Sequence, residues 1–524
     1  MDRNRGRPAV GQGRDDRAIP VRDRRRRLSS HHLLHPGVPL PADDYLRPRL
    51  GRTRQQGARG LDGGKQNTKP ERGAQPRRHP RADAGTPHAP ARRAPLLRCR
   101  FHCDRRCRRS LRGQSQGVSV VTAAHHLSCA ELEAAGLFDD PYPLYARLRQ
   151  QPGLTWVPQA AEQPGGGFWL VARHADAMQV FKAPRGLSKD LGAIRSSRAP
   201  RPFHLNVLFR DGADHARLRR RIKDFFAPAT IAHQRPLMHE VATTLLKRLA
   251  GQETFDLIGD FAEPLPLLVM ARVFGVPEAD LPAIRAWSVQ LADGFDSLLH
   301  APGLAAAHQG AMGDFARYVD DLILAKQARP DASLLGDLVH SDRALLDADE
   351  LRGMMAFLIF AGHETTVGLL GSLLWLLLSH PEQWRLVRER PALIPTAVDE
   401  ALRFESPEQR GTFRVTTEPL EIGEQRVQPR QRIAVLIGSA NRDEAVFADA
   451  GRFDICRSPN PHLAFGTGKH NCLGRTLARL EAEVGLAALI QAMPDLALAE
   501  AAPHWYKNSF FRRLARLPVR GQAR

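Results

Sequence analysis

The chain has 524 residues, 58.1 kDa, and 76 Lys+Arg against 56 Asp+Glu, a formal charge of +20. Residues 1–120 hold 30 of the basic and 10 of the acidic side chains, and the remainder carries 46 of each. The surplus that would mark a nucleic-acid binder thus sits at one end, while the rest is neutral and long enough to bury a large core. Six irregularly spaced cysteines exclude a disulfide framework. The longest apolar run, Leu369–Leu378, relieved only by Gly371 and Ser372, falls short of the ~20 residues a bilayer crossing needs. With no secretory h-region at the N-terminus, the expectation is a cytoplasmic protein with no membrane partner.

Residues 1–120 are rich in Arg, Pro, Gly and His, and show neither a 3.6-residue nor a 2-residue apolar period. Arg24–Arg27, Arg105-Arg106 and Arg108-Arg109 are charge runs. Such a stretch cannot bury enough apolar surface to offset its ordering entropy, so it reads as a solvated tail or a mis-assigned start. Order-like sequence begins near Val118, and the ordered domain is expected over 121–524. Cys99, Cys103 and Cys107 with His102 lack a fourth ligand at finger spacing, so zinc is not expected.

Ser128 before Ala130–Glu133 and Asp140-Pro141 before Leu144–Gln150 mark two helix starts. Gly165–Gly167 is a turn, Phe168–Val171 a strand, and another helix follows from His174. From Ala213 to about Leu378 helical patterns dominate, punctuated by Pro264, Pro266, Pro277 and Pro282, with one apolar helix over Met354–Leu378. Strands return at Glu421–Ile422 and Arg432–Ile437. A last helix after Cys472 carries the stripe Leu473, Leu477, Leu480, Val484, Ala487. The fold class is mainly α with small β-sheets at one edge, in a single large domain.

Phe465-Gly466-Thr467-Gly468-Lys469-His470-Asn471-Cys472-Leu473-Gly474 is the densest motif. Its glycines allow a tight turn and close approach of a flat ligand. Cys472 precedes a helix, whose N-terminal dipole favours a thiolate, and a soft anionic sulfur in a rigid loop suits haem iron. Ala361-Gly362-His363-Glu364-Thr365-Thr366 sets an acid and an alcohol in an apolar helix, where Gly362 leaves room for a ligand. A mid-helix hydroxyl can bond back to the preceding turn and distort it. His215 and Arg219 lie four apart on one helix face and Glu400 and Arg403 three apart on another. Cys129 and Cys456 read as ordinary packed thiols.

The pattern F-G-x-G-x-H-x-C-x-G resembles the haem-binding loop of the cytochrome P450 superfamily, in its soluble bacterial branch. The resemblance runs from about Leu127 to the C-terminus. It implies haem b (iron protoporphyrin IX) on Cys472, cradled by Phe465, Gly466 and Gly468 and flanked by Ala361 and Gly362. It implies propionate contacts from His215, Arg219, Arg414 and His470. The segment between Pro407 and Arg414 is one residue longer than the commoner spacing, which leaves Arg410 as the alternative to Arg414. Glu364 and Thr365 would be the catalytic acid–alcohol pair that delivers protons. Glu400 and Arg403, joined by Arg452, would be structural support for the Cys472 loop. Pocket walls are expected at Leu187–Phe209, Trp287–Gly310, the start of the Met354–Leu378 helix, which resembles the family's oxygen-activating helix, Glu405–Arg414 and Asn508–Phe511.

The implied activity is O2-dependent oxidation, hydroxylation or epoxidation, of a hydrophobic small molecule by a haem-thiolate monooxygenase. Electrons would come from NAD(P)H through ferredoxin or flavodoxin and its reductase, since no flavin- or iron–sulfur-binding pattern follows. Arg217, Arg220, Lys223 and Lys469 are the expected docking cations. A peroxygenase of the same fold would lack the acid–alcohol pair present here. A non-enzymatic haem carrier or gas sensor would not need it, and a nucleic-acid binder would act through the basic arm.

Overall fold

The structure is a computed structural model that describes residues 125–134, 136–159, 166–190, 205–296, 302–340 and 346–522. The basic segment 1–120, its Cys99–Cys107 cluster and the Val118–Val121 boundary lie outside the described residues.

The first helix, Cys129–Ala134, starts where the sequence places it. Glu131 N–H donates to Ser128 Oγ at 3.1 Å and the Glu131 carboxylate accepts from Ser128 N–H at 2.7 Å. Tyr142–Gln150 follows with prolines at its start. A six-stranded sheet gathers distant segments in the order His125–His126, Thr155–Pro158, Gly167–Val171, Arg432–Val435, Arg414–Thr416, Leu187–Ser188. Phe168 pairs with Arg432 and Val171 with Val435 in parallel register. Alternation puts Phe168 and Leu170 against Leu144, Tyr145 and Phe413, while Trp169 and Val171 face Ala177, Val180 and Ile433. The sheet is thus buried on both faces at the edge of the helical body.

The helical body forms one continuous apolar core. At its centre lies the stretch Ala348–Ser379, long and apolar enough to cross a membrane by length and composition, but with 78% of its apolar window buried inside the protein. It is a core element. Glu364–Ser379, Ile394–Phe404, Arg235–Arg248 and the final helix Arg475–Ala492 pack together, and the Cys472 loop and the start of Glu364–Ser379 share one cavity.

Four local expectations are corrected. Met354–Leu378 is two helices, Ala348–Ala361 and Glu364–Ser379, broken at Gly362-His363. The strand expected to reach Ile437 stops at Val435, and Ile437–Ala440 is a helical turn. Thr254–Asp256, inside the helical region, pairs antiparallel with Pro518–Arg520. Along the last helix the 3.6-residue period drifts off the expected stripe, so Ala487 is exposed and Ala488 is buried. Cys129 is half-buried, as a packed thiol should be, whereas Cys456 is exposed.

Candidate active site

One cavity of ≈ 270 Å³ collects the motifs. Phe465, Gly466, His470, Cys472, Arg219, Arg414, Ala361, Gly362, Glu364 and Thr365 all line it.

Positive φ angles at Gly466 (59°) and Gly468 (76°) turn the loop back on itself. Cys472 N–H donates to Phe465 O at 3.0 Å, and Asn471 Nδ2 donates to Gly466 O at 3.0 Å. The two glycines serve different ends. A Cβ on Gly468 would stand 2.5 Å from the Phe181 carbonyl, so that glycine is required by the neighbouring helix. A Cβ on Gly466 would meet nothing within 4 Å and would project into open space. The Cys472 side chain is exposed, but to the cavity. Enclosure by protein pushes its thiol up to about 11, against the Gly474 and Arg475 N–H groups and Arg219, which favour the thiolate.

On the helix Gly212–Ile222, Arg219 donates to Asn471 O at 2.9 Å and reaches the cavity. His215 stands one layer back, its ring 4.3 Å from that of His470. Its Nε2 is buried with no hydrogen-bond partner among the described residues, and burial beside His470 and Arg219 pulls it down to about 4. His470 lies 3.1 Å from Asp211 Oδ1. Burial opposes ionisation of Asp211, but bonds from His470, Ser188 and Lys189 hold its carboxyl below the usual range. Arg414 sits 4.8 Å from the Phe181 ring, its guanidinium bonded to no acceptor among the described residues. Desolvation brings it down to about 10. Arg410 does not line the cavity and lies 5.0 Å from the rings of both Phe413 and Phe510, whereas Arg414 lines it. An open cradle at Gly466, a facing thiol, an orphaned imidazole nitrogen and a guanidinium without an acceptor together fit haem and its two propionates.

The oxygen-helix break is built by His363, whose Nδ1–H donates to Ile359 O at 3.0 Å. The side-chain-to-backbone bond expected of Thr365 is therefore made by His363. Thr365 instead opens the second helix with its hydroxyl unbonded among the described residues and the residue facing the cavity. Gly362 also has a second purpose. A Cβ there would stand 3.0 Å from Phe274 and 3.2 Å from Met270, so the space beside it is largely occupied by the helix Pro264–Phe274. Glu364 is buried, 6% exposed, and its Oε1 lies 2.8 Å from Arg513 Nε. The contact is a close ion pair without an aligned hydrogen bond. Burial raises the Glu364 pKa and Arg513 opposes the rise. Arg513 was invisible to sequence reading, and no local spacing signals it.

Glu400 and Arg403 are wholly enclosed, both 0% exposed. Arg403 makes two bonds to the Glu400 carboxylate, 2.7 and 2.8 Å, and donates to the carbonyls of Asn441, Ala450 and Arg452. The third member of the cluster is Arg457, whose Nε lies 3.1 and 3.2 Å from the two Glu400 oxygens, and not Arg452. Arg452 contributes only its backbone carbonyl. The turn closed by Arg457 N–H on Asp454 O swings the later arginine inward. Asn441 Oδ1 then accepts from Leu463 N–H at 2.6 Å, linking the cluster to the start of the Cys472 loop.

Of the expected pocket walls, Lys189, Val207, Leu208, Pro407, Glu408, Thr412, Phe510 and Phe511 line the cavity. No described residue of 287–310 does.

A fold of this kind, closed around a cysteine in a glycine turn opposite an acid–alcohol pair, defines a haem-thiolate oxygenase. The cytochrome P450 family profile matches residues 317–493. Cytochrome P450 107B1 of Saccharopolyspora erythraea is 35% identical over 73% of this chain and 95% of its own length. Cytochrome P450 monooxygenase PikC of Streptomyces venezuelae is 36% identical over 73% and 91%. The solved structure of P450BioI in complex with a hexadec-9Z-enoic acid ligated acyl carrier protein superposes with a TM-score of 0.67 at 33% identity, covering 73% of this chain and 98% of that one. The chain belongs to the cytochrome P450 family and is a haem-iron monooxygenase that oxidises a hydrophobic small molecule with electrons from a redox partner.

Proposed function

We propose that Cys472 would hold a haem b through its thiolate, with Arg219, Arg414, His470 and His215 receiving the propionates. The observation that carries this is the convergence of Cys472, Arg219, Arg414 and His470 on the same cavity as Glu364 and Thr365. Haem supplies the redox-active iron on which dioxygen chemistry depends, and thiolate donation favours O–O cleavage. The chain's own residues do the rest. The Thr365 hydroxyl presents a proton donor to the cavity, and Glu364, buried and held by Arg513, relays protons toward it. Val207, Leu208, Phe357, Phe360 and Phe511 keep the reacting space apolar, which suits a hydrophobic substrate and excludes competing water. Phe465 and Gly466 hold the loop open to the cofactor's face, and Ala361 lines the same cavity. Glu400, Arg403 and Arg457 are structural.

Electrons arrive from NAD(P)H through a separate cytoplasmic ferredoxin or flavodoxin with its reductase. Two cations expected at the docking face are committed within the chain, Arg217 to Glu350 at 2.9 Å and Lys469 near Asp211 at 3.4 Å. Arg220 and Lys223 remain exposed and carry the proposal.

The test is spectroscopic. Reduced protein under carbon monoxide should show the strongly red-shifted Soret band of a thiolate haem, and Cys472→Ser should lose both that band and turnover. An unchanged band in Cys472→Ser would overturn the assignment.

A further inference from the structure

Glu408 is the acidic residue of the cavity wall that this reading leaves without a task. It lies in a rigid setting. Arg512 N–H donates to Pro407 O at 2.7 Å and Gln409 N–H to Phe510 O at 2.8 Å, so Glu408 is clamped opposite Phe511 in a short antiparallel bridge. Alternation across that bridge turns Gln409 inward, its amide bonded to Ser406 O and the Tyr142 hydroxyl, and leaves Glu408 facing the cavity. No cation stands within ion-pair distance of it among the described residues.

Three cations surround it at longer range, and each has other business. Lys189 donates to the Thr412 hydroxyl and, at 3.4 Å, to the Thr412 carbonyl. Arg410 lies between Phe413 and Phe510. Arg414 faces Phe181 and the propionate position. A half-buried carboxylate in a cavity wall that also carries Leu208, Phe360 and Phe511, with no bonded cation among the described residues, is costly unless a donor reaches it. A ligand in the cavity is the group placed to supply that donor.

We propose that Glu408 recognises a protonated amine on an otherwise hydrophobic substrate. The inference rests on the monooxygenase reading and names the substrate class of its cavity. The ammonium would donate to the Glu408 carboxylate while the apolar body packs on the phenylalanine walls, fixing which end of the substrate lies deepest. Burial raises the Glu408 pKa, and Lys189, Arg410 and Arg414 oppose that rise while also repelling a cation. The preference is therefore that of one charge-assisted hydrogen bond, roughly tenfold to a hundredfold.

Equilibrium dialysis of the haem-loaded protein at pH 7 should compare N,N-dimethyldodecylamine, 1-dodecanol and dodecanoic acid below their micelle concentrations. The amine should bind at least tenfold tighter than the alcohol. Glu408→Gln should erase that preference while leaving alcohol affinity and the carbon monoxide band unchanged. Equal binding of amine and alcohol, tighter binding of the acid, or a preference that survives in Glu408→Gln would each overturn the proposal. Absence of the carbon monoxide band in the parent protein would instead refute the haem-thiolate reading, since dialysis reports amine selectivity without reference to iron.

Discussion

Replacing Arg457 by alanine should destabilise the protein far more than replacing Arg452. Both arginines lie on the same short segment, but only Arg457 brings charge to Glu400. With Arg457 gone, Glu400 keeps the two bonds from Arg403, the Asp454 N–H at 3.0 Å and Asn460 Nδ2 at 3.2 Å. The carboxylate is then bonded but no longer flanked by two guanidiniums, the Ala448 carbonyl loses its donor, and those of Asp449 and Arg452 each keep one, from Arg452 N–H and from Arg403. Breaking a buried ion pair costs ~3–5 kcal/mol, and the surviving partners place Arg457→Ala at the lower end, about 3. Arg403→Ala removes both bonds to Glu400 and three carbonyl contacts at a fully enclosed site, so it belongs at the upper end, about 5 kcal/mol. Arg452→Ala deletes a side chain outside the cluster and should cost less than about 1 kcal/mol. At ~2.1 cal/mol/K per residue, a domain of about 400 residues has an unfolding entropy of about 0.8 kcal/mol/K. The expected falls in thermal midpoint are therefore about 4 °C, 6 °C and 1 °C in the same order. Differential scanning calorimetry of the three variants decides the matter. Equal losses for Arg452→Ala and Arg457→Ala would refute the assignment of Arg457 as the third member.

Thr365→Ala should retain haem and bind ligand, while product formed per NAD(P)H falls about tenfold as reducing equivalents go to peroxide. An unchanged ratio would remove Thr365 from proton delivery. Glu481, enclosed with neither carboxylate oxygen bonded among the described residues, has its pKa pushed well above 4.5 by burial. A raised carboxyl pKa contributes stability that is complete below the unfolded value and lost as pH rises through the folded one. Glu481→Gln should therefore melt with the parent below pH 4.5 and progressively above it at higher pH. A pH-independent difference between the two would contradict this. Reversal of Arg220 and Lys223 to Glu should slow first-electron transfer from an acidic ferredoxin and abolish most of its salt dependence, with ligand-binding spectra intact. A rate unmoved by the reversal would place docking on another face.

The parts of the site that were legible in the sequence are those whose meaning is local. Gly466 and Gly468 advertise a turn because only glycine enters positive φ freely, and Cys472 follows at a helix start. His215 with Arg219, and Glu400 with Arg403, are readable as pairs because helical spacing alone puts them on one face. The parts that escaped are set by topology. Arg452 and Arg457 both lie near enough in sequence to join Glu400, and only the turn at Asp454 selects between them. Glu364 takes its charge partner from Arg513, carried in by a strand pairing near the C-terminus whose register no periodicity in either segment encodes. The break at Gly362-His363 has the same origin. Apolar sequence resumes from Val367 as if one helix continued, while the demand for glycine comes from Phe274 and Met270 on another helix. The cation lost to the docking face, Arg217, is likewise taken by Glu350, which is already committed to the capping box of a distant helix. Composition names the charged residues near the cavity, but the fold decides which of them remain free to meet a substrate or a redox partner. That decision is what leaves Glu408 in the cavity wall with no cation at ion-pair distance among the described residues.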